Sequence, residues 1–224
     1  REGGLEIASI DFPEYAPGSG RSTRDVSGDV IGAIAAAAPN FMGGSADLSH
    51  SNKSEMPGHG EFSSRNRLGK TIRFGVREHA MGSIQNGLLL HGGLRTFAAT
   101  LFVFVDYMRP AMRLAALMGI PAIYVLTHDS IYLGGDGPTH QPIEHLNALR
   151  IIPNMRVLRP CDPEEAVECW KMALERTDGP TCLVLSRQAL TTEQKADADW
   201  RTSLRATGAY ILRKEAEAHD VTIL

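Results

Sequence analysis

A chain of 224 residues, 43 % hydrophobic and 22 % charged, has globular composition and length enough to bury a core without disulfides or metals. These proportions exclude a disordered or fibrous chain. A net charge of −3 gives no general attraction to nucleic acid or anionic membrane, and no apolar run approaches the ~20 residues of a spanning helix.

Residues 1–22 are rich in Gly, Pro and Ser without a sustained period and read as a linker. With Thr23 as N-cap, a helix is predicted through the alanine-rich stretch to Pro39. Residues 41–45 form a short strand candidate, and 49–69 a long polar loop. Residues 71–76 read as a strand. The next helix carries Met81, Ile84 and Leu88 at helical spacing and closes at Gly92-Gly93. A strand over 94–102, a helix over 106–118 tolerating Pro110 in its first turns, and a dense apolar strand over 121–126 follow. A Gly-rich loop, 127–141, leads to a short helix and a strand at 156–158. Asp162-Pro163-Glu164-Glu165 is a strong helix start, and Val167, Trp170 and Leu174 mark that helix's buried stripe. Residues 181–185 are another strand, 193–203 a second linker, and 220–224 a strand just beginning, as in a piece of a longer protein.

Cys161, Cys169 and Cys182 are odd in number and form no CxxC, which favours a reducing compartment, here the cytoplasm. Asn52-Lys53-Ser54 matches a glycosylation sequon that means little there.

Alternating strands and helices, with apolar runs in the strands, predict an α/β fold: a mostly parallel sheet with helices on both faces. Such sheets bind ligands outside the carboxyl ends of their strands. The loops after the predicted strands begin near Ala46, Arg77, Val103, Thr127 and Ser186, so Asp47, Ser51, Glu78, Phe104, Tyr107, His128, Asp136, His140 and Arg187 converge on one edge. Arg24 and Arg187 suit a phosphate or carboxylate, because guanidinium presents a planar fork of donors. Ser51 adds a hydroxyl, His128 and His140 bond hydroxyls or move protons, and Phe104 covers an aromatic ring. Together they point to a phosphorylated, hydroxyl-rich ligand. Each has a plainer reading beside it: Glu78 as a first-turn carboxylate, Phe104 and Tyr107 as core, the histidines as satisfied loop residues, Arg24, Arg187, Asp47, Ser51 and Asp136 as surface, cap or turn residues. His140-Gln-Pro-Ile-Glu144-His145 spaces its residues HxxxEH with Pro142 inside, a poor zinc site, and no GxGxxG leads from a strand into a helix.

Gly75-Val-Arg-Glu78-His-Ala-Met81 and the long run from Thr127-His128-Asp-Ser to Asp136-Gly-Pro-Thr-His140-Gln-Pro142 resemble the middle, pyrimidine-binding domain of transketolase. Ser22-Thr-Arg24, Gly43-Gly-Ser-Ala-Asp47-Leu, residues 66–74, Arg159-Pro-Cys-Asp162 and Leu185-Ser-Arg187-Gln188 add to a likeness running in order over about residues 20–190. The resemblance implies the thiamine diphosphate-binding fold. It divides the chain into an interdomain linker (1–22), a pyrimidine-binding domain (23–190), and a connector with the first strand of a truncated C-terminal domain (191–224). It implies thiamine diphosphate as cofactor, with Mg2+ (or Ca2+) held by a preceding N-terminal domain that does not fit in this chain. The implied reaction moves a two-carbon ketol unit from a ketose phosphate to an aldose phosphate, in the pentose phosphate pathway, at a site between subunits of a homodimer. This chain alone is then inactive.

Residue by residue, Glu78 matches the glutamate that hydrogen-bonds the aminopyrimidine ring nitrogen, favouring the tautomer that takes the thiazolium proton. Phe104, with Tyr107 beside it, matches the aromatic wall on the pyrimidine, and Asp47 an aspartate near cofactor and substrate. Arg24, Ser51, His128 and Arg187 match the sugar-phosphate grip; Asp136 and His140 match residues meeting substrate hydroxyls, so that Glu78, His128 and His140 form the catalytic set. Leu101 stands where the family often has Phe. Gly135-Asp136-Gly137 looks like the opening of the diphosphate and metal motif of thiamine enzymes, but no Asn pair follows, so no metal ligand is assigned. Other readings remain: a related ketol transferase such as dihydroxyacetone synthase, or a non-catalytic or split-subunit binding domain of the same fold. 1-Deoxyxylulose-5-phosphate synthase fits poorly around Glu78.

Overall fold

Every residue of Ile123–Thr127 and Thr181–Leu185 is buried, the pattern of strands covered on both faces. The computed structural model describes residues 6–216. In chain order the elements are β1 (Gly20–Ser22), α1 (Thr23–Ala37), β2 (Phe41–Ser45), α2 (Ser49–Asn52), β3 (Thr71–Arg73), α3 (Glu78–His91), β4 (Arg95–Leu101), α4 (Val105–Leu117), β5 (Ile123–Thr127), α5 (His145–Arg150), β6 (Arg156–Leu158), α6 (Pro163–Glu175), β7 (Thr181–Leu185), β8 (Ala189–Thr191) and α7 (Trp200–Thr207). Six strands form a wholly parallel sheet in the order β3-β2-β4-β5-β7-β6. The predicted α/β fold with helices on both faces is the fold found. No helix among the described residues is long and apolar enough to cross a membrane.

The two faces bury separate cores. On one, Val30, Ile31 and Ile34 of α1 and Ala166 and Trp170 of α6 pack on Phe41 and Phe97. Phe97 stacks on Phe41 with centroids 5.4 Å apart and meets Trp170 edge-on at 6.5 Å. Gly43 makes this possible, since a Cβ there would collide with the Phe97 carbonyl and ring. On the other face Met81 of α3 and Met108 and Met112 of α4 pack on Tyr124 and Leu126. Each such apolar side chain, fully buried, contributes ~1.5–3 kcal/mol.

Several local expectations are corrected. Ser22, not Thr23, caps α1: its Oγ accepts from the Asp25 amide at 3.2 Å, while the Thr23 hydroxyl accepts from the Ser186 amide at 2.7 Å. The 71–76 strand stops at Arg73, ahead of Gly75 with φ 68°. Residues 49–69 contain one helical turn, α2. On α3 the predicted stripe holds only in part. Met81 is buried but Ile84 is 47 % exposed, and the inward face carries Gln85 and Asn86. Gln85 donates to the Thr96 and Ile123 carbonyls and Asn86 to that of Ala111, so these amides enter the core satisfied on their donor side. Within the expected linkers, β1 pairs antiparallel with β8, Ile10 is buried, and α7 forms with Trp200 buried. The strand expected at 220–224 lies outside the described residues.

Candidate functional site

All five predicted loops leave the sheet at its carboxyl edge, because all six strands run the same way. Across that edge lie Glu78 after β3, Asp47 and Ser51 after β2, Phe104 and Tyr107 after β4, His128, Asp136 and His140 after β5, and Arg187 after β7. Arg24 joins them from the first turn of α1, held beside the end of β7 by its amide's 3.3 Å hydrogen bond to the Ser186 carbonyl.

At the centre, Arg24 Nη1 donates to the Ser51 carbonyl at 3.0 Å and lies 3.2 Å from His128 Nε2. The Arg24 Nε–H is buried with no acceptor among the described residues. His128 is 4 % exposed. Burial, then the adjacent Arg24 charge, push its pKa down to about 4 against the opposing pull of Asp136; Arg187 and His140 add to the lowering. Burial likewise lowers the Arg24 pKa, with Asp25, Arg187 and Asp136 in electrostatic range. Arg24, His128, Asp136, His140 and Arg187 therefore share one electrostatic neighbourhood. Arg187 also donates to the Leu133 carbonyl at 3.1 Å, tying the loop after β7 to the loop after β5.

Phe104 is half-buried, its ring 6.2 Å from that of Tyr107 and edge-on to His140 at 5.3 Å. Tyr107 is 66 % exposed. Glu78 begins α3, where the positive end of the helix dipole suits a carboxylate. It is 8 % exposed, and no side-chain hydrogen bond reaches it among the described residues. Asp47 sits exposed in the loop after β2 with a left-handed backbone, φ 63°. Glu78 and Asp47 share the edge but form no hydrogen bond or ion pair with the Arg24–His128 cluster among the described residues.

The sequence did not single out Ser45 or assign Asn52 or Thr127 a place in the site, yet these buried side chains support His128 from beneath. Ser45 Oγ donates to Asn52 Oδ1 at 2.6 Å, Asn52 Nδ2 donates to Thr127 Oγ1 at 2.7 Å, and Thr127 Oγ1 lies 2.9 Å from His128 Nδ1. Asn52, read as part of a sequon, is fully buried and closed to a glycan. The available signal was a polar residue at the carboxyl end of each of two strands, β2 and β5, that flank β4.

Fold and edge together define a doubly wound α/β ligand-binding domain. The family model described as transketolase, pyrimidine binding domain, matches residues 19–193. The chain is 50 % identical over 219 residues to the transketolase of Treponema pallidum (strain Nichols), covering 98 % of this chain and 33 % of that protein. It superposes on the transketolase of Pichia stipitis solved with sedoheptulose-7-phosphate with a TM-score of 0.86 at 39 % identity, over 92 % of this chain and 31 % of that one. A split-gene transketolase solved as an inactive beta4 tetramer gives a TM-score of 0.61 at 25 % identity, over 80 % of this chain and 55 % of that one. The chain belongs to the transketolase pyrimidine-binding domain family, and spans about a third of the length of the curated relatives it matches.

Proposed function

We propose that this chain supplies the aminopyrimidine half of a transketolase site, in which a two-carbon ketol unit passes from a ketose phosphate to an aldose phosphate. Bound thiamine diphosphate supplies the electron sink for carbon–carbon cleavage. Glu78 holds the proton shared with the pyrimidine ring nitrogen, Phe104 and Tyr107 wall the ring, and Asp47 stands near cofactor and substrate. Arg24, Ser51, His128 and Arg187 grip the sugar phosphate, while Asp136 and His140 orient the substrate hydroxyls. A preceding domain outside this chain holds the diphosphate and Mg2+ (or Ca2+). In this reading residues 23–190 are the pyrimidine domain, and 1–22 and 191–224 connect it to its neighbours. A second copy completes the site in a cytoplasmic homodimer.

The observation that carries the reading is Glu78, largely buried as a residue and without a side-chain hydrogen bond among the described residues, at the same sheet edge as the Arg24–His128 cluster. Its test is Glu78→Ala in the complete enzyme. We expect turnover to fall at least ~100-fold, in the range of a lost proton-transfer group, with Tm held within a few degrees. Near-normal turnover would overturn the role. Likeness to a split-gene transketolase favours a second reading, in which the domain works as a separate subunit. Mixing the folded chain with the missing domains and assaying ketol transfer tests it: restored activity supports a domain that works as a separate subunit, and failure in a folded mixture favours a non-catalytic binding subunit.

A further inference from the structure

Arg24 cannot accept a hydrogen bond, because a guanidinium carries donors alone. Its Nη1, 3.2 Å from His128 Nε2, therefore needs a lone pair on that nitrogen. A neutral imidazole with Nε2 bare carries its hydrogen on Nδ1. That hydrogen points to Thr127 Oγ1 at 2.9 Å, the acceptor within reach. Thr127 Oγ1 is pinned in turn by Asn52 Nδ2 at 2.7 Å, and Asn52 Oδ1 by Ser45 Oγ at 2.6 Å. Ser45 Oγ accepts from the Leu48 amide at 3.2 Å, which ends the chain in the backbone. Reversing the Asn52 amide leaves the imidazole end unaltered, because Arg24 alone sets it.

We propose that Ser45, Asn52 and Thr127 are positioning residues that hold in place the buried acceptor for the Nδ1–H which Arg24 imposes on His128, so that His128 and the Ser51 carbonyl together fix the Arg24 guanidinium for an anionic ligand. Ser51 and His128 occupy both Nη1 hydrogens, leaving the Nη2 donors of the guanidinium for phosphate. The opposite tautomer would set an N–H against an N–H and turn the guanidinium away. Thr127 and Asn52 are fully buried, so solvent cannot replace a missing member.

This rests on the phosphate-gripping role of Arg24 proposed above, with His128 contributing to that grip through Arg24 and not by a hydrogen bond of its own, and the controls separate the two. In the complete enzyme, Thr127→Val removes the acceptor while keeping the shape. We expect KM for a phosphorylated ketose and Ki for inorganic phosphate to rise about tenfold, equivalent to about 1.4 kcal/mol, with kcat changed by less than about threefold. Thr127→Ser, which keeps the hydroxyl, restores both constants. Unchanged constants in Thr127→Val, alongside a large KM rise in Arg24→Ala, overturn the positioning chain and leave the grip standing. Unchanged KM in Arg24→Ala overturns the grip and the chain with it. If Thr127→Val does not fold, Asn52→Ala carries the test: a KM rise of about threefold supports the proposal, and no rise overturns it.

Discussion

His128 combines a left-handed backbone, φ 64°, with a buried imidazole that stays neutral well below the usual histidine range. A non-glycine residue in that conformation costs of order 1–3 kcal/mol and persists only where its surroundings over-determine it. Here the next residue does so: the Asp129 amide donates to the Leu185 carbonyl at 3.1 Å and its carboxylate accepts from Arg159 Nε at 2.5 Å. Burial and the Arg24 charge set the sign of the pH response. The folded-state pKa of about 4 lies below the unfolded value near 6.5, so in that window the unfolded chain binds the extra proton. Stability is complete above pH 6.5 and lost as pH falls toward 4. Between pH 7 and pH 5 the loss from this residue is of order 2 kcal/mol. Urea denaturation at the two pH values measures it against His128→Asn, which should show a correspondingly smaller drop; equal drops would contradict the account. The site's outer residues were legible because carboxyl edges of parallel strands gather function. Its supporting layer was not, because Asn52 and Thr127 become neighbours through strand order, β2 beside β4 beside β5, which spacing in sequence does not carry.

At the scale of elements, charge fastens α7 to the chain body. Asp162 caps α6 through the Glu165 amide at 2.9 Å and also receives the Glu193 amide at 3.1 Å and Lys195 Nζ at 2.5 Å. Lys195 bonds Glu164 as well, at 2.9 Å, and Arg205 reaches Glu168 and Glu175. Burial alone would lower the Lys195 pKa, but its bonds to Asp162 and Glu164 outweigh that and raise it. The Asp162 and Lys195 side chains are 0 % and 3 % exposed, so removing one partner strands a buried charge. Lys195→Met is expected to cost about 3–5 kcal/mol, whereas Arg213→Ala, breaking an exposed pair with Glu193, should leave the midpoint almost unchanged. Denaturation midpoints compare them, and similar small losses would show that the buried pair does not hold α7. The Asp162-Pro163 start was plain in the sequence because capping is local. The docking of 193–207 was not, because its partners lie about thirty residues earlier. The outward turn of Ile84 on α3, where Gln85 and Asn86 face inward instead, shows the same limit: periodicity marks where apolar residues lie, and tertiary contacts decide which positions turn inward.

For the whole molecule, the unmatched surface of α3 and α4 becomes the informative feature. The two helices pack together closely enough that a Cβ on Gly82 would press on Met108 and Ala111. Their outer sides keep Ile84 and Leu114 at 47 % exposed, Leu90 at 62 % and Leu117 at 73 %. Single exposed apolar residues are ordinary, but several on two adjoining helices suit a permanent interface. The same helices begin at Glu78 and just after Phe104, so a partner covering their whole length would also reach the open carboxyl edge. Under the proposed homodimer, assembly and activity then stand or fall together. Leu117→Asp buries a charge in such an interface without touching either core, since its side chain points to solvent in the single chain. In the complete enzyme, sedimentation should show the variant shifted to monomers at concentrations where the parent is dimeric, with ketol transfer lost in proportion to the monomer fraction. A fully active dimer carrying Leu117→Asp would place the interface elsewhere and remove the link between this face and the site.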